Sequence, residues 1–353
     1  MIENIQKRVL NVLEWNNVLY ELEARCNTLM GRRIASNLVP LSFEDTRFRL
    51  REITELKEMI IQGDAPDFNG LSDVSPLLNI IKKDGALSLE ELFQFRNFFL
   101  ASERLRDYLY CNRMKMEFIT KDFSRLHKLE YLKELLAASI TDDRELSRSK
   151  YPHLKKIWKE IISKKQEIEK KMMRIINSPS TKNILQEKIF SIVNERYVIL
   201  MKANMKGRIK GTVHDHSSSG ATLYVEPDEI IDMNNKLSML QIDLQVEIKR
   251  ILKNLSMEVG RYADEILENL NILAYLDFLY ASAKLSISIR GNEPEITLEP
   301  VMHLRSARHP LLYLMNSKTV IPSDISLGED YNCLIISGAN TGGKTVLLKT
   351  IGL

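Results

Sequence analysis

A long apolar repeat between residues 237 and 273 constrains the fold of this chain more than any other feature. Its apolar side chains recur at intervals of three, four and four residues: Leu237, Leu240, Leu244, Ile248, Ile251, Leu255, Val259, Tyr262, Ile266, Leu270 and Leu273. An 11-residue period corresponds to about 3.67 residues per turn, so it predicts one nearly straight helix. At ~1.5 Å per residue this helix would span roughly 55 Å, more than the diameter of a small domain. The chain must therefore cover a long apolar stripe.

A second amphipathic helix is predicted after Pro152 and is the expected partner of that stripe. Its seam has a heptad spacing that is interrupted only by a lysine: Leu154, Trp158, Ile161, Lys165, Ile168, Met172 and Ile175. Charged residues occupy its other faces, as expected of a helix that packs along one side. We therefore predict two long packed helices that act as levers.

Between these helices the period changes to that of short strands. The β-branched and aromatic runs lie at 189–193, 196–202, 212–214 and 222–225, with turn residues between them, and they predict a small antiparallel β insertion at about 186–227. Residues 182–214 hold five Lys and two Arg against two Glu, which is a formal charge of +5. Such a module suits a clamp that contacts nucleic-acid phosphates through Lys202, Lys206, Arg208 and Lys210. On charge alone, a solvated polar loop explains the segment equally well.

The remaining pattern is mostly helical and defines the predicted domains. Ser88 and Glu91 have the spacing of a capping box before a helix with apolar residues at Leu92, Phe95 and Phe99. Only 14 Gly and 10 Pro among 353 residues also favour a mostly α protein. We predict an N-terminal helical core over 1–120, lever helices with the β clamp insertion over 121–290, and the start of a P-loop ATPase domain of the α/β class over 291–353.

That last segment contains a complete phosphate-binding loop of the pattern G-x-x-x-x-G-K-[ST]. Its residues are Gly338, Ala339, Asn340, Thr341, Gly342, Gly343, Lys344 and Thr345. An apolar run at 333–337 predicts a strand before it and 346–349 a helix after it, which is the order that the motif requires. Lys344 would then reach the β and γ phosphates of ATP, and Thr345 would hold Mg²⁺. Because the chain ends eight residues after Thr345, we expect the front portion of an ATPase, with no meaningful hydrolysis by this chain alone.

Other classes of protein receive little support. The three cysteines, Cys26, Cys111 and Cys333, lie far apart, which argues against a zinc site and against a secreted disulfide framework. His214 and His216 would share one face of a strand, but no third metal ligand is close in sequence. The net charge is only +3 and no stretch approaches 18 consecutive apolar residues. We therefore expect a soluble, cytoplasmic protein that does not bind a membrane.

Several stretches of the chain resemble the second bacterial branch of the MutS family, which lacks the mismatch-recognition domain. The matching stretches are 307–312, 338–345, 196–199, 213–227 and 234–235, with Leu13, Glu14, Trp15, Cys26, Thr28, Gly31, Arg32 and Pro40 near the N-terminus. Together they extend over essentially the whole chain. The chain departs from the family at Ala339, where proline is usual, and at 200–202, where Pro-Val-Lys is usual.

The resemblance implies a homodimeric ATPase that contacts DNA and RNA, with a C-terminal endonuclease domain that these residues do not include. Members of this family suppress homologous recombination, and they split collided ribosomes. Val320, Ile321 and Pro322 match the stretch that packs on adenine, and a plain strand entering a sheet is the alternative interpretation, with nearly equal support from the sequence. Two alternatives remain: a non-catalytic structural or nucleic-acid-binding arm with an incomplete nucleotide site, and a long-armed ATPase of the chromosome-organising or recombination-repair type.

Overall fold

The computed structural model describes residues 8–338 and 343–353. The helices are α1 (Trp15–Glu23), α2 (Leu29–Ser36), α3 (Phe43–Ile61), α4 (Ser75–Lys82), α5 (Leu89–Cys111), α6 (Glu117–Phe123), α7 (Glu130–Ser139), α8 (Pro152–Ile176), α9 (Asp228–Gly260), α10 (Ala263–Ser288), α11 (Pro310–Met315) and α12 (Lys344–Gly352). The strands are β1 (Leu185–Val193), β2 (Arg196–Lys202), β3 (Gly211–His216), β4 (Thr222–Pro227), β5 (Met302–Ala307) and β6 (Ser323–Leu327). This composition confirms the predicted fold class, a mostly α protein with a small β insertion and the start of an α/β domain.

The chain divides into two compact units, each assembled from segments that are separate in sequence. The first unit comprises Met1–Asn79, Gln94–Lys133 and Gly260–Leu353, and the second comprises Ile80–Phe93 and Glu134–Val259. The three predicted domains, with boundaries near 120 and 290, stay a prediction.

Helix α10 is the central element of the first unit. Ile266, Leu273, Leu276 and Leu279 are all fully buried, and a helix that is apolar on every side belongs in a core. It packs against α2 and α3. Asp277, also fully buried on this helix, accepts hydrogen bonds from residues that precede α2. The first unit is therefore organised around one apolar helix that carries a single buried carboxylate.

The second unit contains the predicted β module as a four-stranded antiparallel sheet in the order β1-β2-β4-β3. Its central strand β2 is almost entirely buried, and α8 packs on β1 and β2. The β1–β2 hairpin turns at Asn194 and Glu195, whose φ angles are +49° and +64°. A two-residue turn with both φ angles positive matches the right-handed twist of the strands that it joins. All four predicted strand runs are confirmed.

The two lever helices form with most of their predicted seams buried. On α8 the buried positions are Leu154, Ile157, Ile161, Ile168, Met172 and Ile176. Trp158 was predicted to lie in this seam, but it is 38% exposed, and its ring contacts the Arg148 guanidinium instead. Lys171 Nζ donates to the Glu229 carbonyl in the first turn of α9, so the two helices meet at that end.

The long apolar repeat is not one helix, contrary to prediction. Helix α9 ends at Gly260 and α10 begins at Ala263. Glycine has a low helix propensity and commonly ends helices, whereas the apolar spacing continues through the break. Leu237, Leu244 and Ile251 on α9 are nonetheless buried, as are Ile266 and Leu273 on α10. Apolar periodicity thus identified the buried face but did not detect the junction.

The residues before the phosphate-binding loop also differ from prediction. Strands β5 and β6 pair with each other in a two-stranded antiparallel sheet, and residues 333–337 form no strand. Ile335 is 85% exposed, so this apolar run has no neighbour to pair with or pack against in the described part of the chain. None of the helices that the structure describes is long and apolar enough to cross a membrane.

Candidate functional site

The nucleotide site predicted from the loop motif lies at the start of α12. Lys344 is the first residue of this helix, and Gly343 precedes it with φ +83° and ψ 10°, in the left-handed region that favours glycine. Gly338, at the other end of the loop, has φ +141°. Ala339, Asn340, Thr341 and Gly342 lie outside the described residues. The free N–H groups and the dipole of a helix N-terminus favour an anion here.

Two side chains at this helix start have the chemistry that a bound nucleotide requires. The Lys344 ammonium donates to the Gly338 carbonyl and so lies between the two ends of the loop. Thr345, the next residue of α12, is exposed. A phosphate in the loop would offer the ammonium a stronger, charge-assisted partner than a carbonyl oxygen. The described part of the loop is thus compatible with phosphate binding.

The predicted adenine-packing residues lie in the extended segment that immediately precedes β6. Val320 is half-buried, whereas Ile321 and Pro322 are exposed. The side chain of Ile321 is 84% exposed, so an apolar surface is available there. Both interpretations of this segment, packing on adenine and a plain strand approach, stay predictions.

Contacts with the N-terminal region hold α12, and sequence reasoning did not find them. Lys349 Nζ lies 3.2 Å from Glu14 Oε1. A Cβ atom at Gly352 would lie only 2.5 Å from Leu13 Cδ2, so the helix and this leucine are in close approach. His309 is also buried, and this burial lowers its pKa. The positive φ of Glu14, +59°, is a local feature that its sequence gives no reason to expect.

The predicted phosphate-contacting residues follow one loop from one end of the β module to the other. Two backbone hydrogen bonds, from Lys202 N to Ile184 O and from Ala203 N to Ala221 O, gather three loops at the end where β2 finishes. Lys202 and Lys206 lie at this end, together with Lys182. Lys210 lies at the opposite end, where its carbonyl accepts from Asp228 N. We call the loop over 202–210, with Lys182, the basic loop region.

The charges of this region are available to a partner. Lys206, Arg208 and Lys210 are exposed, and Lys202 is half-buried. None of the ion pairs found within residues 8–338 and 343–353 involves any of these four side chains. Their positive charges are therefore not neutralised within the described part of the molecule, which leaves them free to attract phosphates.

Comparison with known proteins identifies relatives over the whole chain. No family model matches the chain. It is 35% identical over 352 residues to Endonuclease MutS2 of Alkaliphilus oremlandii and 33% identical over 353 residues to Endonuclease MutS2 of Clostridioides difficile. Endonuclease MutS2 of a Geobacillus species is 34% identical over 351 residues. Over its length the chain is similar to MutS2 proteins. The alignments cover 98–99% of the chain but 44% of each relative, so the chain spans less than half the length of the MutS2 proteins that it matches.

A polar network lies where the β module meets α9. Its residues were noted for their resemblance to MutS proteins and, for His214, as a possible metal ligand. Glu226 on β4, whose side chain is 2% exposed, is its centre. Its carboxylate lies 2.8 and 3.0 Å from Arg196 Nη1, 2.7 Å from Asn234 Nδ2 and 2.6 Å from His214 Nε2. Burial acts to raise the pKa of Glu226, but hydrogen bonds from Asn234, His214 and Arg196 outweigh it and lower the pKa.

This network sets the positions of the two histidines that were considered as metal ligands. A bulge in β3 at His214, between the pairs Val213–Val225 and Asp215–Tyr224, breaks the strict alternation expected for the strand. His214 turns to Glu226, whereas the His216 side chain is 72% exposed. Within the part of the chain that the structure describes, no group of three His, Cys, Asp or Glu side chains could hold a metal ion.

Proposed function

We propose that the chain is part of a MutS2 protein that binds ATP and Mg²⁺ in the loop over 338–345 and nucleic acid through the basic loop region. The observation that carries this proposal is the likeness to MutS2 proteins over 99% of the chain, combined with a helix that begins at Lys344 after a left-handed Gly343. Loop and helix start provide the backbone donors and the ammonium, and Thr345 provides the hydroxyl for Mg²⁺.

The finer roles follow the same family likeness. Val320, Ile321 and Pro322 would pack on the adenine ring. The functional protein would be a cytoplasmic homodimer in which the nucleotide state sets the position of the clamp. Its targets would be branched or duplex DNA, ribosomal RNA in collided ribosomes, or both, and its cellular role the suppression of recombination or the rescue of ribosomes. The relatives are named endonucleases, and we propose nuclease activity for the whole protein.

Loss of the loop lysine is expected to weaken nucleotide binding strongly. In a polypeptide that carries this chain and a complete ATPase domain, Lys344→Ala removes the ammonium that contacts the β and γ phosphates. Each charge-assisted hydrogen bond contributes roughly 1.5–3 kcal/mol, so Kd for ATP should rise by at least about tenfold. Isothermal titration with Mg²⁺-ATP measures this change.

The matched control is Lys318→Ala. Lys318 is an exposed lysine of the same unit and lies outside the loop, so its removal changes the net charge equally. Equal ATP affinity in both variants would support the alternative function, a structural or nucleic-acid-binding arm whose nucleotide site is incomplete. That alternative draws on one observation, the lack of a strand at 333–337.

Removing the basic loop charges is expected to weaken binding to every nucleic-acid sequence by a similar factor. The quadruple variant Lys202→Ala, Lys206→Ala, Arg208→Ala and Lys210→Ala can no longer pair with phosphates through these side chains, and phosphates carry no sequence information. The slope of log K against log salt should flatten by about 0.9 per phosphate that is no longer neutralised on duplex DNA, and by about 0.7 per phosphate on single strands. Fluorescence anisotropy over a salt series, with DNA and RNA probes of several sequences, measures both effects.

A second quadruple variant separates local binding from total charge. Lys155, Lys159, Lys165 and Lys170 are exposed residues of α8, and replacing them with alanine removes the same formal charge. We expect this variant to keep most of the parental affinity and salt slope. Identical behaviour of the two variants would show that the basic loop region does not bind the nucleic acid.

A further inference from the structure

We infer that the polar network around Glu226 is a positioning device that fixes the orientation of the β module on helix α9. The network joins three strands to one helix: Arg196 on β2, His214 on β3, Glu226 on β4 and Asn234 on α9. The inference rests on the proposed function only for its consequence, namely that the basic loop region moves together with α9.

Asn234 connects α9 to the sheet because its side-chain amide takes the place of a strand backbone. Tyr197 lies opposite Pro227 when the register of β2 and β4 is continued, and proline has no N–H group to extend the ladder. Asn234, only 1% exposed, takes that place: its Oδ1 accepts from Tyr197 N at 3.3 Å and its Nδ2 donates to Tyr197 O at 3.2 Å. A side chain of the helix thus extends the sheet at the point where β4 must stop.

Glu226 then makes this arrangement specific. Its two oxygens are shared among a guanidinium, an amide and an imidazole, and Arg196 Nη2 continues to Asn235 Oδ1 of α9 at 2.7 Å. If the sheet turned on the helix, the carboxylate would lose Asn234 while still buried. A buried charge without its partners is costly, and a fully satisfied polar network therefore favours one geometry over its neighbours.

Further contacts brace the same junction. The Tyr197 hydroxyl lies 3.3 Å from Glu169 Oε1 of α8, and Lys171 Nζ of α8 reaches the Glu229 carbonyl of α9. Helix α8 therefore contacts both β2 and the start of α9 within a few residues of the network. Among the described residues, the basic loop region is hydrogen-bonded to α9 at its Lys210 end, where Asp228 N donates to the Lys210 carbonyl. Lys202, Lys206 and Arg208 therefore depend on the junction for their position relative to α9.

The test measures the distance between the basic loop region and α9 with paired spin labels. Labels at Asn204→Cys and Met239→Cys use two exposed positions, in a background where the exposed Cys111 and Cys333 are serine. Glu226→Gln places an amide donor among the Arg196, Asn234 and His214 donors and should broaden the distance distribution.

Hydrogen exchange gives a second measurement of the same variant. In Glu226→Gln, exchange around Tyr197 should accelerate by at least about tenfold, which corresponds to ~1.4 kcal/mol of local stability. Exchange over residues 199–202, where β2 pairs with β4, should stay slow.

Glu187→Gln is the matched control, because Glu187 is an exposed glutamate on β1 of the same sheet and its replacement changes the charge equally. It should leave the distances unchanged. Arg196→Met is a second, milder variant, since Arg196 is 27% exposed, and it should broaden the distances as well. The inference would be overturned if both network variants kept the label distances of the parent protein. It would also be overturned if the whole sheet unfolded in both variants, because the network would then be needed for folding and not for orientation. The distances between the labels are measured without nucleic acid. The experiment therefore tests the positioning role even if the proposed nucleic-acid binding is wrong.

Discussion

Leu244→Asp and Ile251→Asp are each expected to lower the free energy of unfolding by several kcal/mol. Leu244 is 7% and Ile251 3% exposed on the seam of α9. A carboxylate there must either stay charged in an apolar environment or take up a proton, and both outcomes destabilise the fold. Changes of this size belong to the upper end of single substitutions. Chemical and thermal denaturation of the chain measure the effect.

Lys249→Asp is the matched control for these seam variants. Lys249 is exposed on the same helix, and surface substitutions usually change stability by within about 0.5 kcal/mol. Melting of both seam variants within about a degree of the parent, a shift worth only a few tenths of a kcal/mol, would contradict burial of the seam. The lever role proposed for α9 would then lose its physical basis.

Asp277→Ala is expected to have an equally large effect on the first unit. The Asp277 carboxylate accepts four hydrogen bonds, from Asn27 N and Nδ2 at 2.9 Å each and from Thr28 N and Oγ1 at 2.7 Å each. Thr28 is in turn the N-cap of α2, with its Oγ1 accepting from Gly31 N at 3.0 Å. Each buried donor left without a partner costs roughly 1–3 kcal/mol. Urea denaturation should show a decrease of several kcal/mol in the free energy of unfolding.

Two further variants make this result interpretable. Asp264→Ala removes an exposed carboxylate from the first turn of the same helix, where its interaction with the helix dipole contributes about 0.3–1 kcal/mol. Gly31→Ala should destabilise the parent, because its Cβ would lie 2.4 Å from Asp277 Oδ2, but should cost less once residue 277 is alanine. A small destabilisation by Asp277→Ala, with simple additivity in the double variant, would contradict the assigned role of the carboxylate.

Features with a local cause were predictable from the sequence. The capping box is confirmed, since Glu91 N donates to Ser88 Oγ and Ser88 N donates to Glu91 Oε2. The β module was predictable because β-branched runs alternate with turn residues over a short stretch. The buried faces of α8 and α9 were predictable because the helical period repeats many times.

Features that depend on distant partners were not predictable in the same way. The Glu226 network draws on four elements, and only the three-dimensional register shows that Asn234 replaces the strand partner missing at Pro227. For Asp277 one signal was present, an acidic residue within the apolar sequence of α10. The strand predicted at 333–337 did not form, since a strand needs a neighbour and a sequence pattern does not contain one. The nucleotide-binding and nucleic-acid-binding assignments stay predictions.

The division of the chain into two interleaved units has a consequence for its synthesis. Most of the second unit, Glu134–Val259, is continuous in sequence and can form its contacts as soon as those residues leave the ribosome. The first unit cannot form its contacts until much later in translation. Thr28 donates to a carboxylate 249 positions further along the chain, and Glu14 pairs with Lys349. During translation at about 5–20 residues per second, the N-terminal helices therefore spend more than about ten seconds without their central helix. Throughout that interval α10 does not cover their apolar faces, so these helices are the part of the first unit with the longest time for non-native contacts.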